Sequence, residues 1–134
     1  MTGETNIKKL LGSMEPELVD EEYVFISLDP NDLPDLPSAP ITQFQEAEGL
    51  TLVIPRHEAE DAELEYEFPS KMITLTIHSS LGAVGFLSVI LTRLAEAGIS
   101  VNTFSAYYHD HLFVPTDRAE EALKILQRLS VENR

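Results

Sequence analysis

Lys71-Met72-Ile73-Thr74-Leu75-Thr76-Ile77-His78-Ser79-Ser80-Leu81-Gly82-Ala83-Val84-Gly85-Phe86-Leu87 is the stretch that decides the fold. Up to His78 it alternates, with Ile73, Leu75 and Ile77 on one face and Thr74, Thr76 and His78 on the other, which predicts a half-buried strand. Beyond it the period changes. Ser79 and Ser80 carry hydroxyls of the kind that cap a helix, and Val84, Leu87, Leu91, Leu94 and Ala95 form an apolar stripe widened by Phe86 and Ile90. Gly98 then predicts a left-handed helix stop. Downstream, residues 99–107 read as a strand, His109-Asp110 as a polar turn and Leu112-Phe113-Val114 as a third strand closed by Pro115. Asp117 and Glu120 make a capping box for a last helix carried by Ala119, Ala122, Leu123, Leu126 and Leu129.

Upstream the pattern is less regular. Asn6 caps a short helix with Ile7, Leu10, Leu11 and Met14 at helical spacing, weakened or ended by Gly12. Tyr23-Val24-Phe25-Ile26-Ser27-Leu28 is a β-branched and aromatic strand. Residues 29–40 hold four of the eight prolines and three aspartates, so they read as a stiff surface loop. Residues 41–55 read as a hairpin turning at Glu48-Gly49, and the charged run 56–65 as a short exposed helix.

A repeat ties the halves together. Residues 52–62 align with residues 112–122, with leucine, proline, alanine, glutamate and alanine recurring in register. The second copy reads strand, helix, strand, strand, helix, and the first reads helix, strand, strand, helix, strand. The fold class is therefore α+β: two ferredoxin-like βαββαβ units, residues 1–69 (with the proline-rich loop) and 70–134. Each lacks one terminal strand, which the pair supplies by interlocking through strands at 66–68 and 72–78.

Composition bounds the partners. The chain has 134 residues, 43% of them apolar and 24% charged, so it supports a packed core rather than disorder. It has no cysteine, which removes thiolate chemistry, disulfides and cysteine-ligated metals and fits a reducing, cytoplasmic setting. The first residues lack a secretory pattern and the longest apolar run is too short for a bilayer, so no membrane role is expected. The net charge of -14 argues against nucleic acid as a partner. All of that excess sits in residues 1–67, with 3 basic and 17 acidic residues; residues 68–134 hold 6 of each. The acidic half reads as a solubilising surface, with attraction of a cationic ligand or partner as the alternative.

His78-Ser79-Ser80-Leu81-Gly82-Ala83-Val84-Gly85-Phe86-Leu87, followed by Leu94-Ala95-Glu96-Ala97-Gly98-Ile99-Ser100-Val101-Asn102, resembles an ACT domain. It is similar to the regulatory ACT units of aspartokinases. With the repeat, the whole chain resembles stand-alone tandem ACT proteins, a group related to the cytosolic arginine sensors of animals. The resemblance implies a non-catalytic regulatory protein that binds a small molecule, an amino acid first of all, between paired units, with a homodimer as the expected assembly and no cofactor. Position by position, Ser79, Ser80, Leu81, Gly82, Ala83 and Val84 match the family's ligand loop. Val101, Asn102 and Thr103 match the strand that faces it across the pair. The first half has no Ser-Ser-Leu-Gly counterpart, so one such site per chain is expected.

Elementary energetics agree with an interfacial site. A helix N-terminus attracts an anion, and glycines at 82 and 85 let backbone approach it, but the dipole contributes only about 0.3–1 kcal/mol, or ~2 when partly buried. Millimolar to micromolar binding needs roughly 4–8 kcal/mol, so a second surface must supply the rest. The alternatives are that the glycines serve only helix–sheet packing, or that the chain is a protein–protein interaction module with no small ligand. Tyr108-His109-Asp110-His111 offers two imidazoles and a carboxylate, but a catalytic metal needs about three protein ligands in fixed geometry and no other histidine is near in sequence, so the stretch reads as a polar turn. No metal is therefore expected. His78 beside Ser79 does not form a triad, and no nucleophile elbow or P-loop is present, so no enzyme is expected.

Overall fold

The computed structural model describes residues 6–78, 81 and 83–134. In chain order these form α1 (Ile7–Ser13), β1 (Pro16–Leu28), β2 (Thr42–Gln45), β3 (Leu50–Pro55), α2 (Arg56–Asp61), β4 (Glu67–Leu75), α3 (Phe86–Glu96), β5 (Asn102–Ser105), β6 (Asp110–Pro115) and, after a 3-10 turn at Thr116–Arg118, α4 (Ala119–Glu132). The fold is α+β, built as two compact units. Glu21–Ser70 is one of them, and the described residues up to Asp20 join Lys71–Arg134 in the other. Both β1 and β4 contribute residues to each unit.

In the unit that contains α3, the hydrogen-bonded strand order is β1-β4-β6-β5. Three helices pack there, because α1 lies against α4 and α3. In sequence order α1 precedes the first copy's hairpin, and in space it packs in the unit that holds α3 and α4. Leu10, Leu11 and Met14 join Ile73, Leu75, Phe86, Ile90, Leu94, Leu112, Leu126 and Leu129 in one core. Asn6 caps α1 as expected, its side chain accepting from the Lys9 N–H at 3.0 Å. The helix is then held across the chain: the buried Ser130 hydroxyl donates to the Met14 carbonyl at 3.1 Å and sits 3.3 Å from that of Gly12.

Two caps differ from their sequence-based expectations. The N-cap of α3 is Gly85, not Ser79 or Ser80, which lie outside the described residues. The N-cap of α4 is Arg118, with no side-chain cap bond, because the 3-10 turn takes up Asp117 and displaces the expected capping box. At the other end of α3 the expectation holds. Gly98 is left-handed (φ 73°), its N–H bonds to the Ala95 carbonyl at 2.9 Å, and the Ile99 N–H reaches the Leu94 carbonyl at 3.1 Å. Paired bonds of this kind close a helix and bring an apolar pair together, here the buried Ile99 and Leu94.

In the other unit the order is β2-β3-β1-β4, over a smaller core of Val24, Ile26, Leu50, Leu52, Ile54 and Ala59. The two strands expected at 66–68 and 71–78 are a single strand, β4, ending at Leu75. Phe68, just before Pro69, is left-handed (φ 57°) and sets its ring edge-on to Phe25 at 5.7 Å.

The repeat holds at a constant offset of 60 residues. Thr42 opposes Val53 as Asn102 opposes Phe113, and Gln45 opposes Leu50 as Ser105 opposes Asp110. Burial along β3 and β6 follows the same pattern. Pro55 and Pro115 share the same extended backbone as they hand over to helix. Both hairpins turn through two residues: Glu46 and Gly49 exchange bonds around 47–48, and the Ala106 N–H bonds to the His109 carbonyl around 107–108. The second turn is therefore Tyr107-Tyr108 rather than the expected His109-Asp110. What differs is the connection before each hairpin. Residues 76–101 carry α3, whereas residues 29–41 are the proline-rich strap with no helix.

Candidate functional site

Beyond Leu75 the chain leaves β4, and Gly85 reverses it into α3 with φ 91° and ψ -10°. Among the described residues no side chain caps this helix start, and the Gly85 carbonyl takes the Val89 N–H at 3.1 Å. The first turn of a helix has N–H groups without intrahelical partners, at the positive end of its dipole. Beside them lies a cleft of about 190 Å³, lined by Leu81, Ala83, Phe86, Leu87, Ser105, Ala106 and Asp110. Phe86 anchors the wall by being buried, and Asp110, 8% exposed, is its acidic member.

The predicted residues distribute unevenly around this cleft. Leu81 and Ala83 line it, whereas Val84 is 85% exposed and lies outside it. Ser79, Ser80 and Gly82 lie outside the described residues. Val101, Asn102 and Thr103 are not among the lining; Val101 packs on the core, and Asn102 is exposed at the far end of β5 from Ser105. Sequence reasoning missed Ser105, Ala106 and Asp110. The signal for Asp110 was available in the repeat: at the 60-residue offset its place is held by Leu50, so a carboxylate stands where the other copy buries a leucine.

Aromatic rings crowd the same end of the unit. His78 lies 5.2 Å from Tyr108 and 6.4 Å from Tyr107, and the two tyrosine rings are 4.9 Å apart, each about three-fifths exposed. With the exposed Leu81 and Val84 they give this face an apolar character unusual beside so charged a chain. His109 and His111 are 6.3 Å apart, ring to ring, and His111 Nδ1 is engaged with Thr74 Oγ1 at 3.0 Å. Among the described residues no group of three side chains is placed to hold a metal ion. Burial, with the adjacent His109 charge, holds the His111 imidazole below its ordinary pKa, against the opposing pull of Asp110.

A second charged group lies in the unit that carries the strap, where Arg56 pairs with Glu22 at 3.3 Å and Glu60 at 3.5 Å, and His57 with Glu21 at 3.2 Å. These charges answer one another on an open surface, so this group makes a weak candidate beside the cleft. No helix among the described residues is long and apolar enough to cross a membrane.

Two α+β units, one of them with Gly85 turning the chain into α3, make a tandem fold of the ferredoxin-like class. The chain belongs to the ACT-domain family: ACT-domain models match residues 2–71 and 67–128. A Vibrio cholerae protein of unknown function, described as a possible transport protein, is 40% identical over 92% of this chain and 94% of its own, with a TM-score of 0.78. An Agrobacterium tumefaciens protein is 15% identical over 87% of this chain and 89% of its own (TM-score 0.72). The ligand-free regulatory subunit of aspartate kinase from Thermus thermophilus is 12% identical over 89% of this chain and 97% of its own (TM-score 0.63), which is a likeness of fold. A search of curated proteins gave no match. ACT domains are regulatory, non-catalytic modules that bind small molecules, and this chain carries two of them in tandem.

Proposed function

We propose that this chain is a non-catalytic cytoplasmic regulator that binds a free amino acid at the turn 79–85 of one copy, closed by Val101, Asn102 and Thr103 of a second copy. Ser79, Ser80, Leu81, Gly82, Ala83 and Val84 hold the ligand on the first side. The observation that carries this reading is the cleft at the start of α3, where Leu81 and Ala83 meet Ser105 and the Asp110 carboxylate beside an uncapped helix start. A zwitterion suits that polarity, its carboxylate toward the first-turn N–H groups and its ammonium toward the acidic wall. At about 190 Å³ the cleft is smaller than a complete ligand pocket, which agrees with half a site, and the exposed Leu81, Val84, Tyr107 and Tyr108 give a second copy something to cover.

The test is a thermal-shift screen against the twenty amino acids, read together with sedimentation of the free and liganded chain. A ligand at 100 times its Kd stabilises by about 2.7 kcal/mol. We expect one amino acid or a related few to raise Tm and to favour the dimer, and Gly82→Asp to abolish the rise by placing a carboxylate against the ligand's own while the chain still unfolds cooperatively. A flat response to all twenty, with the dimer unchanged, would replace this reading by a pure interaction module.

A further inference from the structure

The 60-residue offset gives the cleft by α3 a counterpart in the unit Glu21–Ser70, and the counterpart has the opposite chemistry. Leu50 stands in the place of Asp110, and the strap of residues 29–41 stands in the place of α3. Between strap and sheet lies a cleft of about 370 Å³, within the usual range for a small-ligand pocket. Its walls are apolar: Leu28, Leu33, Leu36, Leu50 and Leu52, with Pro34, Pro37 and Pro40 along the strap.

The anchors of the two connections differ in sign. In the α3 unit, Arg118 donates to the Ala97 carbonyl at 2.9 Å and so fastens the end of α3. Sixty residues earlier stands Glu58, which fastens the strap by accepting from the Ser38 hydroxyl at 2.7 Å. Ser38 also lines the cleft. Glu58 is 6% exposed, and its other oxygen, Oε1, is buried with no hydrogen-bond partner among the described residues. Leaving a carboxylate oxygen in that condition is costly, and a positively charged N–H donor relieves it best. The surrounding field has the same preference, since residues 21–70 carry one arginine against thirteen acidic residues.

We infer that the cleft beneath the strap is a second ligand site, selective for a small apolar organic ammonium ion whose alkyl group packs on Leu36, Leu50 and Leu52 and whose N–H groups bind Glu58 as the strap lifts. It lies in the unit without α3 and does not depend on the amino-acid reading of the other cleft.

The test uses 3-methylbutylammonium chloride as probe on the full chain, followed by backbone NMR shifts, with 3-methylbutan-1-ol and ammonium chloride at equal ionic strength as controls. Saturable shifts confined to residues 28–52 and 58 are expected from the probe, with the alcohol binding at least about tenfold more weakly and ammonium chloride reproducing none of the pattern. Glu58→Gln should weaken the probe by a similar factor, and Ser38→Ala, which removes only the competing hydroxyl, should retain it. Equal binding of alcohol and ammonium, an unchanged affinity in Glu58→Gln, or shifts spread over surface acids would overturn the site. The comparison of ammonium with alcohol on the unmodified chain decides the matter even if Glu58→Gln fails to fold.

Discussion

Gly85 and Gly98 bracket α3 with left-handed backbones, φ 91° and 73°, and at neither does an added Cβ meet anything within 4 Å among the described residues. Replacing either by alanine therefore tests backbone strain without collision. A left-handed alanine costs about 1–2 kcal/mol, and the less flexible unfolded chain returns roughly 0.4–1, so each variant should lose about 0.5–1.5 kcal/mol. Urea unfolding should show the loss as a lower midpoint with an unchanged slope. Asparagine, which tolerates this conformation better, should recover part of it at both positions. The pair also separates stability from ligand response. Gly98→Ala should keep any amino-acid-dependent rise in Tm, whereas Gly85→Ala, which reshapes the cleft edge beside Phe86, should diminish it. Two variants as stable as the parent would refute the strain argument; equal ligand responses in both would refute the role given to the α3 start.

Other outcomes follow from the core and its buried polar groups. Leu126→Ala removes a fully buried side chain from the larger core and should cost about 2–5 kcal/mol in chemical unfolding. Ser130→Ala should cost about 1 kcal/mol and speed amide exchange in α1, because it removes the hydroxyl that ties the Met14 carbonyl to α4. His111 titrates below the ordinary imidazole value of 6.5, so the unfolded chain binds its proton first. Its contribution to stability is complete above pH 6.5 and is lost as pH falls through the lowered folded value. His111→Gln should remove that slope from a stability–pH profile, and a slope that persists would place its origin elsewhere.

Much of the architecture was legible because it is local. The alternation at 71–75, the stripe through Ile90 and Leu94, and the left-handed stop at Gly98 follow from periodicity and glycine alone. The repeat carried the hairpins. What escaped depends on long-range partners. Nothing near α1 in sequence announces that the Gly12 and Met14 carbonyls accept from Ser130, more than a hundred residues away, so the packing partner of this helix was not legible. A serine pair suggested a cap, but the helix begins after Gly85, where a glycine makes the reversal. Asp110 passed as a turn residue because polarity is the ordinary mark of a turn, while the actual turn is made of two tyrosines.

The tie between Ser130 and α1 spans 116 and 118 residues of chain. At roughly 5–20 residues per second, a ribosome needs about 6–24 s to make the partner that α1 awaits. During that interval Leu10, Leu11 and Met14 have no α4 to cover them, while β1, β2 and β3, whose pairing with one another needs nothing beyond Pro55, emerge early. Synthesis thus favours the inner segment first and sews the two ends of the chain together last, and the apolar face of α1 is where a chaperone would have most to hold.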